Sequence, residues 1–569
     1  MFWGFRMKKN KVLAIILSVS LLPAMLAGCM PGSMQENKES TPVESPASDS
    51  QAVSEAASTE EASDAADGYS LPFCEPGSVS FSFLTYQNWH ASSFYDSTDG
   101  LPVENKLEEL TGVHIDWECP TSDYNTVAQT RLAAGTGLPD IMRIPNGTTG
   151  LMNAVNQGLI LPLSDYMSPE TTPYLYKLMD KQPIYRAYMQ APDGKIYGVA
   201  HSEYNVNNVV FMWNTIRKDW LGKLNMKMPE TIDEYHDVLV AFRDQDPNGN
   251  GEKDEIPLIY QNEDMFGLYS FKTAFGFKYS DIWSQTDGKV AFDLMDDKFF
   301  DCLTTLHQWY EEGLLQQTIT SSEGSTYLSQ DRAGGRVLSS SDNLISDANL
   351  SKAIEPDAEF VFINPLYNPD YPENTDPYIN KRNEFNDYFV ITADCKNPEI
   401  AAKWLDWVYA SEDSVTLRYW GIEGDTYTVD ENGNKEYTKK VTDGSPIDVL
   451  REIGGFPNFV GNEYGEPILA MYKDTYVEEA YKTFSDRLES RLPIILGTEE
   501  ENETYSKLWP DIDTYVRENV VNFIIGTRPL TDAEWENYKK DLTNMGIEDV
   551  IAVKQSWYDR ADEIMGTNN

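Results

Sequence analysis

Val79-Ser-Phe-Ser-Phe-Leu84 opens the stretch that decides the fold, and the chain up to Ile144 continues it. Apolar and polar residues alternate from Val79 to Leu84, as in a strand with one buried face. Val103, Leu107 and Leu110 then fall on one side of a helix, which Gly112 closes. Val113 to Trp117 reads as the next strand. A second helix, around Tyr124 to Ala134, stops at Gly135, and Leu138-Pro139-Asp140 leads into a short strand at Ile141 to Ile144. Strands alternating with helices in this order predict an α/β sheet.

The mixed pattern continues towards the C-terminus. Thr231-Ile-Asp-Glu234 has the spacing of a capping box, with Tyr235, Val238, Leu239 and Phe242 facing one way behind it. Asn397-Pro398 starts a helix with Ile400, Ala401, Trp404, Leu405 and Val408 on one side. A second capping-box spacing, Thr531 to Glu534, opens a C-terminal helical region with Trp535, Tyr538 and Leu542. There is no internal repeat.

Working back towards the start, residues 31–68 change character. From Pro31 to Gly68 there is no Ile, Leu or aromatic residue, only a mixture dominated by Ser, Ala, Glu, Thr and Pro. Such a segment buries too little apolar surface to offset its chain entropy, so it reads as a tether. As a flexible coil it would reach about 35 Å. Before it stand Arg6, Lys8, Lys9 and Lys11, then an apolar run from Val12 to Ala27, then Leu26-Ala27-Gly28-Cys29. The run is too short for a spanning helix. Small residues before a Cys resemble the bacterial lipobox, which implies residues 1–28 as a cleaved signal peptide and diacylglycerol on the Cys29 thiol. The plainer alternative is an ordinary signal peptide with an incidental Cys. Two acyl chains are enough for stable anchoring.

The remainder, 69–569, has the composition of a large globular body. The whole chain is 41% hydrophobic and 12% aromatic, and its 92 acidic against 45 basic residues give a formal charge of −47. That balance argues against a nucleic-acid partner, since phosphate contacts need Lys and Arg. It suits an extracellular surface kept soluble by repulsion. Cys74, Cys119, Cys302 and Cys395 are widely spaced, without a CxxC or metal-like cluster. They are compatible with up to two disulfides or with small buried hydrophobes.

Several segments in order resemble the extracellular solute-binding proteins of ABC transporters, in particular large carbohydrate-binding lipoproteins. They are Leu138-Pro139-Asp140-Ile141, Pro192-Asp-Gly-Lys-Ile-Tyr-Gly198, Arg217-Lys-Asp-Trp220, Asp246-Pro-Asn-Gly-Asn-Gly251, Phe389-Val-Ile-Thr392, Tyr419-Trp-Gly-Ile-Glu-Gly424 and Tyr427-Thr-Val-Asp430. The resemblance implies an α/β, two-lobed periplasmic-binding-protein-like (type II) fold with a ligand cleft at the hinge. It implies one lobe at roughly 76–200 and 386–455 and the other at roughly 201–385 and 456–569. It further implies a monomer that closes on a carbohydrate, here an oligosaccharide, and docks on a permease at the extracytoplasmic face of the membrane.

The sharpest local chemistry is Asp246-Pro-Asn248-Gly-Asn250-Gly251-Glu252-Lys-Asp254-Glu255. Oxygen-bearing side chains fall at positions 1, 3, 5 and 9 counted from Asp246, with Gly251 at position 6, which is the front of an EF-hand loop. Glu252 would offer its carbonyl, and Glu255 would close the shell in place of the usual Glu at position 12. The expected ion is a structural Ca²⁺. The alternative is an Asn/Gly turn without metal, because the same residues favour turns.

Sugar recognition needs aromatic faces and planar polar groups. Trp117, Trp220, Trp309, Trp404, Trp407, Trp535 and Trp557 sit in strand or helix patterns and read as core. Trp89, Trp213, Trp283 and Trp420 fall in loop-like contexts and are candidate ligand contacts, together with Asp140, Asp387, Tyr388 and Glu423. The first strand's carboxyl end, which precedes Trp89, is where clefts of α/β sheets lie. No HExxH, G-x-S-x-G or P-loop motif is present, so no catalytic residue is assigned. A binder of peptide or another polar solute, a surface glycosidase and an adhesion lipoprotein are the competing readings.

Overall fold

The structure, a computed structural model, describes residues 69–566 apart from 86–99, 121–122, 203–213, 260–267, 269, 318–338, 341–356, 374–376, 378, 382–384, 444–445, 456–464, 472, 474–477, 480–481, 484–487, 491 and 494. The signal segment, Cys29 and the tether lie outside the described residues. All described residues belong to one compact unit, Ser63–Asn569. No helix among them is long and apolar enough to cross a membrane.

Two sheets are built from β1 (Val79–Leu84), β2 (Val113–Glu118), β3 (Ile141–Arg143), β4 (Gly198–Ser202), β5 (Thr215–Arg217), β6 (Ser339–Ser340), β7 (Phe360–Phe362) and β8 (Phe385–Ile391). The larger has the order β2-β1-β3-β8-β4. β1 runs parallel to β2, with Val79 opposite Val113 and Leu84 opposite Glu118, and parallel to β3. β8 runs antiparallel to β3 and β4. The smaller sheet, β6-β5-β7, is antiparallel.

The main helices are α1 (Pro102–Thr111), α2 (Tyr124–Ala134), α3 (Pro173–Lys181), α4 (Ile232–Asp244), α5 (Asp297–Glu311), α6 (Pro398–Ala410), α7 (Glu499–Ile524), α8 (Asp532–Met545) and α9 (Ile547–Met565). Their ends follow from local chemistry. α1 stops at Gly112, whose φ is +76°, and a Cβ there would come within 2.3 Å of the Cys74 carbonyl oxygen. Only glycine fits both conditions. α4 carries a complete capping box, with Thr231 accepting from the Glu234 N–H and the Glu234 carboxylate accepting from the Thr231 N–H. α8 shows only the Thr531 half of its expected box, and α6 starts on Pro398 without a side-chain bond from Asn397.

Two separate hydrophobic cores result. The first gathers residues 81–200 and 388–453, with Phe83, Trp404, Trp407 and Tyr409 at its centre; Met471 and Leu496 pack with it. Phe83 stacks on Trp117 at 4.8 Å between ring centroids. The second gathers residues 216–366 and 512–550, around Trp220, Tyr235, Trp309 and Tyr538. Each fully buried aromatic of this size contributes about 2–3 kcal/mol through area removed from water. A small cluster of Ala187, Ile495, Val553, Trp557 and Ala561 ties α9 to the helix Pro183–Met189 of the first core. α9 also packs on the strand Lys289–Phe292 of the second. The four cysteines are thiols: Cys302 and Cys395 are buried, and Cys74 and Cys119 are half-buried. Burial pushes the Cys395 thiol up to about 11.

Candidate ligand site and calcium loop

Of the expected ligand residues whose side chains are described, Trp283, Trp420 and Tyr388 are packed among other side chains, Asp140 lies against the sheet and Glu423 on a turn. Trp283 is 7% exposed, packed against Phe292 at 4.8 Å and Trp509 at 5.4 Å, with the Lys554 ammonium 5.4 Å from its ring centre. Trp420 is 3% exposed and stacks on Tyr437 at 4.4 Å. Tyr388 is 1% exposed and donates its hydroxyl to the Tyr188 carbonyl at 2.9 Å. In this structure all three rings are packed against protein. Each ring buries more area against protein than a loop-like sequence context suggested, because segments that look irregular are folded back onto a core.

Asp140 is half-buried and serves the sheet. Its Oδ2 accepts from the Ser82 N–H at 3.0 Å and the Ser82 hydroxyl at 2.9 Å, which staples β3 to β1. Glu423 is exposed on the turn after Trp420, and its backbone bridges to Tyr427. Burial, and secondarily the Glu423 charge, raises the Tyr427 hydroxyl. Asp387 sits on β8 opposite His201, where the register shifts, and its side chain lies outside the described residues. Trp89 and Trp213 lie outside them altogether.

Two polar groups that the sequence did not single out stand at the edges of those segments. Thr85 follows β1 directly, is fully buried, and its hydroxyl makes no hydrogen bond among the described residues. Asn214 precedes β5, is 2% exposed, and donates Nδ2 to Ser270 Oγ at 2.8 Å while its Oδ1 makes no hydrogen bond among the described residues. Leaving such a group unsatisfied costs about 1–3 kcal/mol, so both are candidate ligand contacts. Thr and Asn occur too often in loops for sequence to have flagged them.

The acidic loop is tightly organised. Asp246 has φ +47°, and Gly249 and Gly251 have φ +75° and +81°. Asp246 Oδ1 accepts from the N–H groups of Gly249 and Asn250, at 2.9 and 3.1 Å, and Oδ2 accepts from Gly251 at 2.9 Å. Asn248 Oδ1 accepts from the Asn250 N–H at 2.9 Å, and Asn250 Oδ1 from the Glu252 N–H at 2.7 Å. Asn250 Nδ2 donates to Asp254 at 3.0 Å.

Both Glu255 carboxylate oxygens are buried, and neither has a partner in hydrogen-bond geometry among the described residues. Burial pushes this carboxyl up, the N–H groups of Glu255 and Asp254 oppose the shift, and the charges of Asp254 and Asp246 add to it. A hard cation would relieve both effects, and the oxygen-only set around it fits Ca²⁺. Among the described residues, however, no three acidic, His or Cys side chains are drawn to one point. Two of the loop's oxygen donors are Asn amides, which such a grouping does not include, and Asp254 is engaged with Asn250.

A family model of bacterial extracellular solute-binding proteins matches residues 96–414, more than half of the chain. The chain belongs to that family. The fructooligosaccharide ABC transporter substrate-binding protein FusA of Streptococcus pneumoniae is 30% identical to this solute-binding protein over 487 residues, 80% of this chain and 86% of FusA. The polygalacturonan/rhamnogalacturonan-binding protein YtcQ of Bacillus subtilis is 26% identical over 407 residues, 68% of this chain and 76% of YtcQ. Solved structures of FusA with kestose, and of a FusA EF-hand mutant with fructo-nystose, each align with a TM-score of 0.66 and 25% identity, covering 85% of this chain and 99% of theirs. The fold is thus the two-lobed periplasmic-binding-protein fold, which accounts for two cores in one compact unit.

Proposed function

We propose that this solute-binding protein captures an oligosaccharide in a cleft between its lobes and delivers it to the permease of an ABC uptake transporter, with no bond made or broken. The observation that carries this reading is the likeness to FusA across 80% of the chain. The orphaned polar atoms of Thr85 and Asn214 support it, since a hydroxyl-rich ligand would satisfy both. The lobes are taken as roughly 76–200 with 386–455 and 201–385 with 456–569; most of each core falls in one of them, and Met471 and Leu496 pack across. Closure draws on the ligand's greater affinity for the closed state.

Cys29 carries the diacylglycerol anchor and residues 31–68 the tether, which lets a monomeric body reorient towards its permease. Ca²⁺ at the Asp246–Glu255 loop is structural: Asp246, Asn248, Asn250, Asp254 and Glu255 would hold it, with the Glu252 carbonyl. The FusA EF-hand mutant supports this assignment by analogy. Labelled palmitate should enter the wild-type chain and not Cys29→Ser.

The deciding experiment is a thermal-shift screen of the mature chain carrying Cys29→Ser against neutral and acidic oligosaccharides and peptides, with calcium and with chelator. A ligand at 100 times its Kd adds about 2.7 kcal/mol to the native state. A shift with one glycan family and no hydrolysis supports transport. A shift with peptides alone sinks the carbohydrate reading.

A further inference from the structure

The second core carries an open groove of about 520 Å³, within the range of small-molecule sites. Its walls are the start of α4, the middle of α5 and the turn 368–371, and no residue of the first core lines it. It therefore lies on one lobe and not between the two.

The lining has a definite chemistry. Phe275 and Trp309, both almost fully buried, form the apolar floor. His236 is held at the wall by Glu312, with Nε2 to Oε2 at 2.6 Å, and Tyr371 by a hydrogen bond to Asp301. Asn368 is 8% exposed, and its Oδ1 accepts from the Asp370 N–H at 3.0 Å. That bond fixes which way the amide faces, because an amide NH2 cannot accept. The Asn368 NH2, with two donors in an otherwise buried residue lining the groove, makes no hydrogen bond among the described residues.

Acceptors surround it. Thr304 and Thr305 spend their hydroxyl protons on the carbonyls of Phe300 and Asp301, at 2.9 and 3.3 Å, which leaves their lone pairs. Gln308 spends an amide proton on Glu312 at 2.8 Å and keeps its carbonyl oxygen. Asp233 and Asp370 are exposed carboxylates at the rim. No Lys or Arg lines the groove. An anion is repelled, and an apolar molecule would strand the Asn368 donors. A ligand bearing many hydroxyl donors, some acceptors and an apolar C–H face satisfies all of them.

We propose that this groove is a second saccharide site that takes a short neutral sugar independently of the cleft. A weak second contact on the same body would raise the local concentration of a longer chain, because the second binding event is then intramolecular. The site does not depend on what the cleft binds.

The test follows the methyl NMR signals of Ile232, Thr304 and Thr305 in the mature chain carrying Cys29→Ser, titrated with sucrose, with maltose and with spermidine. Saturable shifts with either sugar are expected, weakened about tenfold in Asn368→Ala and in Asp370→Ala. Asp370 is exposed, so the second variant reads the groove even where the first perturbs the turn. Signals that stay still with both sugars overturn the proposal. Signals that move with spermidine alone also overturn it and make the groove a cation site.

Discussion

Asp406 is fully buried in α6 and holds the start of the folded body. Its Oδ1 accepts from the Leu175 N–H at 2.7 Å, in the first turn of α3, and its Oδ2 lies 2.7 Å from the Tyr69 hydroxyl. That hydroxyl is also 2.9 Å from the Lys403 carbonyl. The one phenolic proton is shared between these two acceptors. Burial pushes this carboxyl from 3.8 up to about 7, against the hydrogen bonds that favour its charge. The folded state thus holds a proton that the unfolded chain releases between those two values. Stability from this group is full below the lower value and is lost as pH rises to about 7, on the order of 4 kcal/mol in all. Asp406→Asn should remove that slope in urea unfolding compared at about pH 5 and about pH 8; an unchanged slope would show that Asp406 is ionised throughout. Lys272 poses the opposite case. It is fully buried, 2.5 Å from Asp293 and 2.6 Å from the Tyr279 carbonyl. Lys272→Met should destabilise by about 3–5 kcal/mol by leaving a buried carboxylate alone, and Lys272→Met with Asp293→Leu should recover most of it. Denaturant midpoints of the single and double variants decide between an essential charge and a replaceable pair. Sequence could not mark Asp406 or Lys272 as special: one sits in an amphipathic helix and the other in an apolar stretch, and only burial makes either costly.

Elements were more legible than residues. The strand pattern at Val79–Leu84, the stop at Gly112 and the capping box at Thr231 all depend on neighbours within a few positions, and the structure carries all three. The loop Asp246–Glu255 was legible in its spacing but not in its occupancy. The same oxygens that would bind an ion also cap backbone N–H groups, so pattern alone supports both readings. The two readings diverge at Glu255: a bound cation would neutralise its buried carboxylate, and a bare turn leaves it facing the charges of Asp254 and Asp246. In calcium, the wild-type chain should melt higher than in chelator. Glu255→Gln should lose most of that difference and should be at least as stable as wild type in chelator. Calorimetry of both proteins under both conditions checks this, and an equal calcium response in the two would remove Glu255 from the site.

At the scale of the molecule, the chain crosses between two cores and returns. The first core takes residues from 81–200 and again from 388–453, and α9 packs against both. Among the described residues the apolar contacts that join the two spans are a small set: the cluster of Ala187, Ile495, Val553, Trp557 and Ala561, and Met471 and Leu496 packing with the first core. A saturating glycan found in the thermal screen should therefore reduce the radius of gyration in solution scattering. A thermal shift without any compaction would count against closure on the ligand.

The sequence by itself determined the α/β class, the alternation of strands and helices from Val79 to Ile144, the apolar-poor composition of residues 31–68 and the oxygen spacing of the loop. Each is local, set by periodicity, capping or composition over a short window. Tertiary structure decided which aromatic rings are core and which polar groups lack partners. Trp283 and Trp420 look like loop residues along the chain, yet Trp509 and Tyr437 cover them in space. Thr85 and Asn214 are ordinary polar residues in sequence, and what sets them apart is how far they are buried and which bonds they lack among the described residues. Burial sums contributions from distant segments, so it exists only once the chain has folded.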